Sequence, residues 1–242
     1  VNTLKEQGRL YPCYESQEEL EYKRRRQLKA GSPPIYDRQA LGLSKQDRID
    51  LEASGRKPYY RFKLNHSSIQ WHDLIRGPSY FEGKQLSDPI LIRGDGSYLY
   101  HLPSCVDDIE LGISHVIRGE DHISNTAIHM QLFQALSDEA PRFAHLPLMT
   151  DLKGVGLSKR FGSTTIESLR QQGCEPETLA SYLINLGSNR SIKPIASVTE
   201  LAKDFDIART SSAKPKFDLN QLWAANTRTI QAMPFEVASI RF

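Results

Sequence analysis

The stretch from Ile113 to Leu136, "ISHVIRGEDHISNTAIHMQLFQAL", decides the fold. It opens with a short apolar run that reads as a strand. It closes with Ile128, Leu132, Phe133 and Leu136 at the spacing of one helical face. A strand, a polar loop and an amphipathic helix in succession make the repeating unit of parallel α/β sheets. Ligands of such sheets bind outside the carboxyl ends of the strands, so the polar segment Arg118 to Thr126 is a candidate site. Arg118 offers a planar, two-pronged donor for a carboxylate, with helix amides just behind it. The same residues also read as a solvated loop in which Arg118 pairs with Asp121 or Glu120.

Upstream, polar helices alternate with short strands and turns. "VNTLKEQGRL" reads as the tail of a helix that stops at Gly8. In "SQEELEYKRRRQLKAG", Ser16 and Glu19 form a capping-box pattern, and Glu19 to Lys23 and Glu21 to Arg25 are spaced for i,i+4 pairs. The run Lys23 to Arg26 is then a solvated face, with phosphate contact as the lesser alternative. "YYRFKLNHSSIQW", from Tyr59 to Trp71, alternates apolar and polar residues on both sides of Asn65 to Ser68 and predicts a hairpin. "DPILIRGDGSYLYHLP" predicts a second, turning at Asp95-Gly96.

Downstream of residue 160 the chain becomes helical. "TTIESLRQQG" predicts a capping box of Thr164 and Glu167 with Gly173 as the stop. "EPETLASYLINLG" predicts a helix from Pro176 to Gly187 with Leu179, Leu183 and Leu186 as its buried stripe.

Composition bounds the function. With 242 residues and 39% hydrophobic content the chain is globular, and 31 basic against 29 acidic residues give no general case for nucleic acid, so any basic surface is local. Cys13, Cys105 and Cys174 stand far apart, which argues against a disulfide framework and a zinc cluster and suits a reducing compartment. No apolar run approaches a membrane span, so the expected location is cytoplasmic, away from the membrane. The seven histidines are scattered in sequence, and no metal site is expected. Asp107 and Asp108 are adjacent, so they point apart and read as structural groups with a weak alternative in positioning substrate.

"GVGLSKRFGS", from Gly154 to Ser163, places Lys159 and Arg160 together between glycines. It is not a phosphate-binding Walker loop. The nearest approach to that pattern, "GPSYFEGKQ", has one residue too many between its glycines and Gln85 in place of the hydroxyl. What remains is a cationic loop suited to charge growing on a phosphate chain, or a surface loop with incidental charge.

These segments occur in an ordered series. "DGSYLYHLPSCVDDIELGISHVIRGEDHISNTAIHMQLFQAL", then "PRFAHLPLM", then "GLSKRFGS" and a helical tail resemble the bacterial glutamyl-tRNA synthetases, a family of class I aminoacyl-tRNA synthetases. "LKEQGRLYPCYESQEELEYKRR" and "PPIYDR" resemble that family's acceptor-arm insertion, and "KFDLNQLWAANTRTI" its stem-contact region. The resemblance implies an α/β chain: the second half of a class I Rossmann-type nucleotide-binding fold, an inserted α+β acceptor-arm domain and a C-terminal helical stem-contact domain. The implied boundaries are 1–97 for the insertion, 98–150 for the half-fold, and 151–242 for the signature loop with the stem-contact domain.

By the same resemblance "GLSKR" is the second class I signature. Lys159, with Ser158 and Arg160, then acts on the pyrophosphate leaving group. Tyr100, Arg118, Ser104 and His122 would hold glutamate. Asp121, His122 and Lys159 would hold ATP, which arrives with magnesium as substrate. The implied partners are tRNA, through its acceptor arm and stem, glutamate and ATP.

Three features depart from the family. The first signature, His-Ile-Gly-His or a close variant, does not occur in these residues. Gly156 stands where the motif's first lysine would be, and Cys13 lacks the companions seen in zinc-binding members, so no zinc is expected. The chain therefore reads as an internal fragment of a glutamate–tRNA ligase, inactive by itself. The alternatives are a non-catalytic module that binds tRNA acceptor ends and the shortened paralogue that glutamylates a modified tRNA base. A glutaminyl relative fits less well, because Arg118 suits a carboxylate.

Overall fold

The computed structural model describes residues 1–137, 139–157, 165–186 and 197–241. In chain order the elements are α1 (Asn2–Glu6), β1 (Leu10–Cys13), α2 (Gln17–Lys29), α3 (Lys45–Ala53), β2 (Tyr59–Phe62), β3 (Ser68–Asp73), β4 (Gly77–Glu82) and β5 (Ile90–Ile92). Then come α4 (His101–Glu110), β6 (His115–Gly119), α5 (Ile123–Leu136) and β7 (Arg142–Leu146), and finally α6 (Ile166–Gln171), α7 (Pro176–Asn185), α8 (Val198–Asp204), α9 (Leu219–Gln231) and α10 (Phe235–Arg241). The fold is mixed α/β. One sheet has the order β1-β2-β5 and is antiparallel; the other has the order β4-β3-β7-β6, with β3 antiparallel to β4 and parallel to β7.

The chain divides into two compact units. The first comprises residues 1–73, 77–117 and 122–144, and the second 74–76, 118–121 and 145–242. The division falls at the carboxyl ends of β3, β6 and β7.

The first unit is organised by α5, the helix expected from the opening stretch. It buries Ile128, Leu132 and Phe133 in one cluster with Leu4, Phe62, Leu91 and Phe143. Burying each such side chain contributes about 1.5 to 3 kcal/mol, enough to overcome the β-branched start of the helix. The helix tail at the amino end is present as α1, closed by Gly8 at φ +65°, and its Leu4 is fully buried in that cluster. The capping box of Ser16 and Glu19 forms, and α2 has no buried residue.

Two local expectations fail in this unit. The stretch from Tyr59 to Trp71 is not a hairpin: β2 lies in the first sheet, and β3 pairs with β4 in the second. The polar break that reads as a turn is instead clamped by α5. Gln131 accepts the Asn65 amide proton at 2.6 Å and donates to the Asn65 carbonyl at 3.1 Å, so those backbone groups serve a crossing between sheets. Glu19 does not pair with Lys23. It takes the Arg56 guanidinium through both oxygens, at 2.8 and 3.0 Å, while Lys23 reaches Asp37 at 3.0 Å. A two-pronged arginine outcompetes a single ammonium for a carboxylate. The Asp95-Gly96 turn forms, with Gly96 at φ +86°, but its second arm is a single bridge, Ile92 to Tyr98, because α4 begins directly after Tyr100.

In the second unit α7 and α9 enclose Leu169, Cys174, Tyr182 and Leu222. Asn226 accepts the Glu175 amide proton at 2.8 Å and donates to the Gly173 carbonyl at 2.9 Å, closing the α6–α7 turn. The α6 cap sits one residue later than expected. Thr165 caps with Ser168, both side chains bonding the reciprocal amides, and Thr164 lies outside the described residues. Of the expected leucine stripe on α7, Leu179 and Leu186 pack half-buried against this cluster, but Leu183 is exposed, and the fully buried residues of the helix are Thr178, Ser181 and Tyr182. Polar groups go inward there because each finds a partner. Thr178 donates to Thr229 at 2.8 Å, and Tyr182 bonds the Asp218 backbone while packing edge-on against Phe217.

Candidate active site

Each unit carries part of the expected site. In the first, the buried Leu102 and Cys105 anchor α4 and thereby fix Tyr100, the residue preceding it. The Ser104 amide donates to the Tyr100 carbonyl, one helical turn apart. The Tyr100 ring lies among three imidazoles, 5.4 Å from His101, 6.1 Å from His122 and 5.5 Å from His129. His122 precedes α5, and the Asn125 amide nitrogen bonds its Nδ1 at 3.0 Å. If that amide donates, the imidazole proton sits on Nε2.

The three histidines that are scattered in sequence thus meet around one tyrosine. His101 Nδ1 lies 3.1 Å from His129 Nε2, with the rings edge-on, and His129 is fully buried. Such a contact needs one ring to donate and the other to accept, so the two cannot both be cations. Nothing in the sequence signalled this, because the partners stand 28 residues apart on different helices. Among the described residues no group of three or more His, Cys, Asp or Glu side chains is arranged to hold a metal ion. Cys13 is buried and shares the Tyr36 hydroxyl proton at 3.6 Å.

In the second unit Arg118 is the penultimate residue of β6, and its Nε–H donates to Nε2 of the fully buried His145 at 3.4 Å. The bond sets the plane of the guanidinium at the carboxyl end of the strand. Glu120 does not pair with Arg118. Its carboxylate takes Arg76, the Leu148 amide at 3.3 Å and Lys214 at 3.8 Å. The Asp121 carboxylate folds back over Gly119, where an added Cβ would lie 2.4 Å from Oδ1, so glycine is required for this approach. His145, Arg76 and Lys214, which contact Arg118 and Glu120 from distant segments, are neighbours of the candidate site that sequence reading missed.

The second unit also carries the approach to the signature loop. Asp151 accepts from the amides of Lys153 and Val155 at 2.9 and 2.8 Å, Gly154 turns at φ +84°, and Thr150 bridges Gly156 and Lys216. This tight hairpin delivers the chain at Leu157. Ser158, Lys159 and Arg160 lie outside the described residues.

Comparison with known proteins gives a consistent result. The family described as tRNA synthetases class I (E and Q), catalytic domain, matches residues 1–224. A glutamate–tRNA ligase of Azospirillum brasilense is 55% identical over 234 residues, covering 96% of this chain and 52% of that protein. A glutamate–tRNA ligase 2 of Methylorubrum populi is 50% identical over 238 residues, 98% of this chain and 53% of that one. Among solved structures, a glutamate tRNA ligase of Elizabethkingia meningosepticum in complex with its amino acid superposes with a TM-score of 0.86 at 28% identity, over 98% of this chain and 52% of that one. The chain spans about half the length of the curated relatives it matches.

Proposed function

This chain belongs to the class I (E and Q) tRNA synthetase catalytic-domain family, and we propose that it supplies the glutamate pocket and signature loop of a glutamate–tRNA ligase. The reaction joins the α-carboxylate of glutamate to the α-phosphorus of ATP and releases pyrophosphate. The adenylate is then attacked by the terminal ribose of tRNA. One observation carries the assignment to glutamate: a permanently charged arginine, Arg118, sits near the carboxyl end of the edge strand β6 with its Nε tied to a fully buried imidazole. A guanidinium held in plane suits a side-chain carboxylate and leaves the amide of glutamine poorly matched.

In this reading Arg118, Tyr100, Ser104 and His122 receive glutamate. Asp121 and His122 adjoin ATP, which binds as its magnesium complex. Lys159 stabilises the charge that accumulates on pyrophosphate as the bond to the α-phosphorus breaks, with Ser158 and Arg160 beside it. Residues 1–97 serve the acceptor arm, 98–150 the nucleotide fold, and 151–242 the loop and the stem contact. The setting is the cytoplasm, and no helix among the described residues is long and apolar enough to cross a membrane.

A second reading is a tRNA-binding module without adenylation. The test is pyrophosphate exchange with glutamate, ATP and tRNA. It is run on this chain and on a chimera completed with the remaining residues of the Azospirillum brasilense relative. Exchange by the chimera alone, with the KM for glutamate raised by Arg118→Ala, supports the ligase. A silent chimera that still binds tRNA supports the module.

A further inference from the structure

Three polar side chains are buried along α5, Thr126, His129 and Gln131, and the fold accounts for two of them. Gln131 clamps the Asn65 backbone, and the Thr126 hydroxyl donates to the His122 carbonyl at 3.4 Å. His129 remains. It is 1% exposed, and an imidazole buried there is costlier than an apolar side chain of similar size unless its nitrogens are matched. Its Nε2 meets His101 Nδ1 at 3.1 Å, a bond that crosses from α5 to the first residue of α4.

That bond secures the start of α4, where Tyr100 stands at the N-cap and its side chain makes no capping hydrogen bond to the helix. Tyr100 is 48% exposed, so burial alone does not hold its ring. The ring lies 5.5 Å from His129 and 5.4 Å from His101, and those two imidazoles are bonded to each other edge-on. The phenol thus rests on a bonded pair whose inner member is locked in the core. Support of this kind restricts the ring before a ligand arrives and lowers the ordering cost of binding.

We propose that His129 is a positioning residue for glutamate binding: bonded to His101 and packed against Tyr100, it holds the Tyr100 phenol where the ligand is received. Fully buried, it acts through Tyr100. The inference rests on the glutamate reading of that pocket, so its test is made in the completed chimera.

Pyrophosphate exchange is measured as a function of glutamate and, separately, of ATP. His129→Leu removes the bond and fills a similar volume. It is expected to raise the KM for glutamate about five- to tenfold, with the KM for ATP and kcat within about twofold of the parent. His129→Gln, whose amide can present a polar atom near the place of Nε2, should recover most of that loss. His101→Leu breaks the same bond from its half-buried side and should reproduce the rise, which keeps the test decisive if His129→Leu fails to fold. Tyr100→Ala supplies the readout that a packing role would not move. On that background His129→Leu should add less than about twofold, because the ring it positions is gone. A joint rise in the KM for glutamate and for ATP, or a His129→Leu effect undiminished in Tyr100→Ala, makes His129 a packing residue and overturns the proposal. So does a KM for glutamate unchanged in both His129→Leu and His101→Leu while Arg118→Ala and Tyr100→Ala raise it. If those two variants also leave it unchanged, the glutamate reading itself falls, and the role of His129 with it.

Discussion

Asp88 in the first unit and Glu120 in the second are both carboxylates held by cations, and they are held very differently. Asp88 is almost fully buried and accepts four hydrogen bonds: two from Arg38 at 2.8 and 2.7 Å, one from the Tyr11 hydroxyl at 2.6 Å and one from the Leu64 amide at 2.9 Å. Its lone pairs are saturated, and the pairing holds Arg38 at φ +59°, a left-handed conformation unusual for a side chain of that size. Glu120 is partly exposed and has one close arginine, one long amide contact and one distant lysine. The difference separates a carboxylate that fixes the crossing of three chain segments from one that lies where chemistry is expected and can exchange partners.

The largest effect is therefore expected from Asp88→Ala. It strands a largely buried guanidinium, a hydroxyl and an amide together, and removal of one partner from a buried pair typically costs about 3 to 5 kcal/mol. Urea unfolding of the purified chain measures it. A loss below about 1 kcal/mol would show that water replaces the carboxylate and would erase the contrast with Glu120.

Next in size is the loss of the cationic loop. In the completed chimera, Lys159→Ala is expected to lower the rate of pyrophosphate exchange about 100- to 1000-fold, the usual consequence of removing one donor that acts on developing charge. The KM for glutamate should barely move. Arg118→Ala is expected to act the other way round, raising the KM for glutamate more than it lowers the rate. If Lys159→Ala changed KM alone, the loop would be a binding element and not a catalytic one.

How much of this was legible beforehand follows from the range of the interactions. The β6–α5 unit was readable because strand and helix periodicity are local, and so were the Ser16 cap and the Asp95-Gly96 turn. The candidate residues Arg118, Asp121 and His122 lie within five consecutive positions, so their place at the end of a strand could be read as well. The partners could not. His145 reaches Arg118 from the next strand, Arg76 and Lys214 reach Glu120 from 44 and 94 residues away, and His129 meets His101 across two helices. The false hairpin at Tyr59 to Trp71 and the outward position of Leu183 on α7 share one cause. In both, a local pattern was overridden by a distant polar side chain that satisfied backbone or hydroxyl groups, Gln131 in one case and Thr229 in the other.

Glu120→Gln sharpens the comparison at lower cost. The amide retains the Leu148 contact and loses the charge, so stability should fall by about 1 kcal/mol or less, and the deficit should shrink further at high salt because Lys214 is largely exposed. A loss as large as that of Asp88→Ala would mean that the Glu120 site is dry and structural.

The smallest effect at neutral pH belongs to Cys13, in the sheet that Asp88 braces. Burial, the main cause, and the nearby Glu15 and Asp88 carboxylates push its thiol up to about 11, against a partial offset from the Tyr36 hydroxyl and Arg61. The native state thus favours the neutral thiol over the thiolate. Its contribution to stability is fully present below the unfolded value near 9 and is lost as pH rises from there through about 11. The Cys13 contribution to stability should accordingly be flat from pH 6 to 8 and fall above 9. In the same range native Cys13 should resist iodoacetamide, since the thiolate is the nucleophile. In Asp88→Ala, where the brace is gone, alkylation at pH 8 should accelerate in proportion to the unfolded fraction. If it accelerates more than that, the sheet opens locally at Cys13 without global unfolding, and Asp88 secures that edge rather than the whole core.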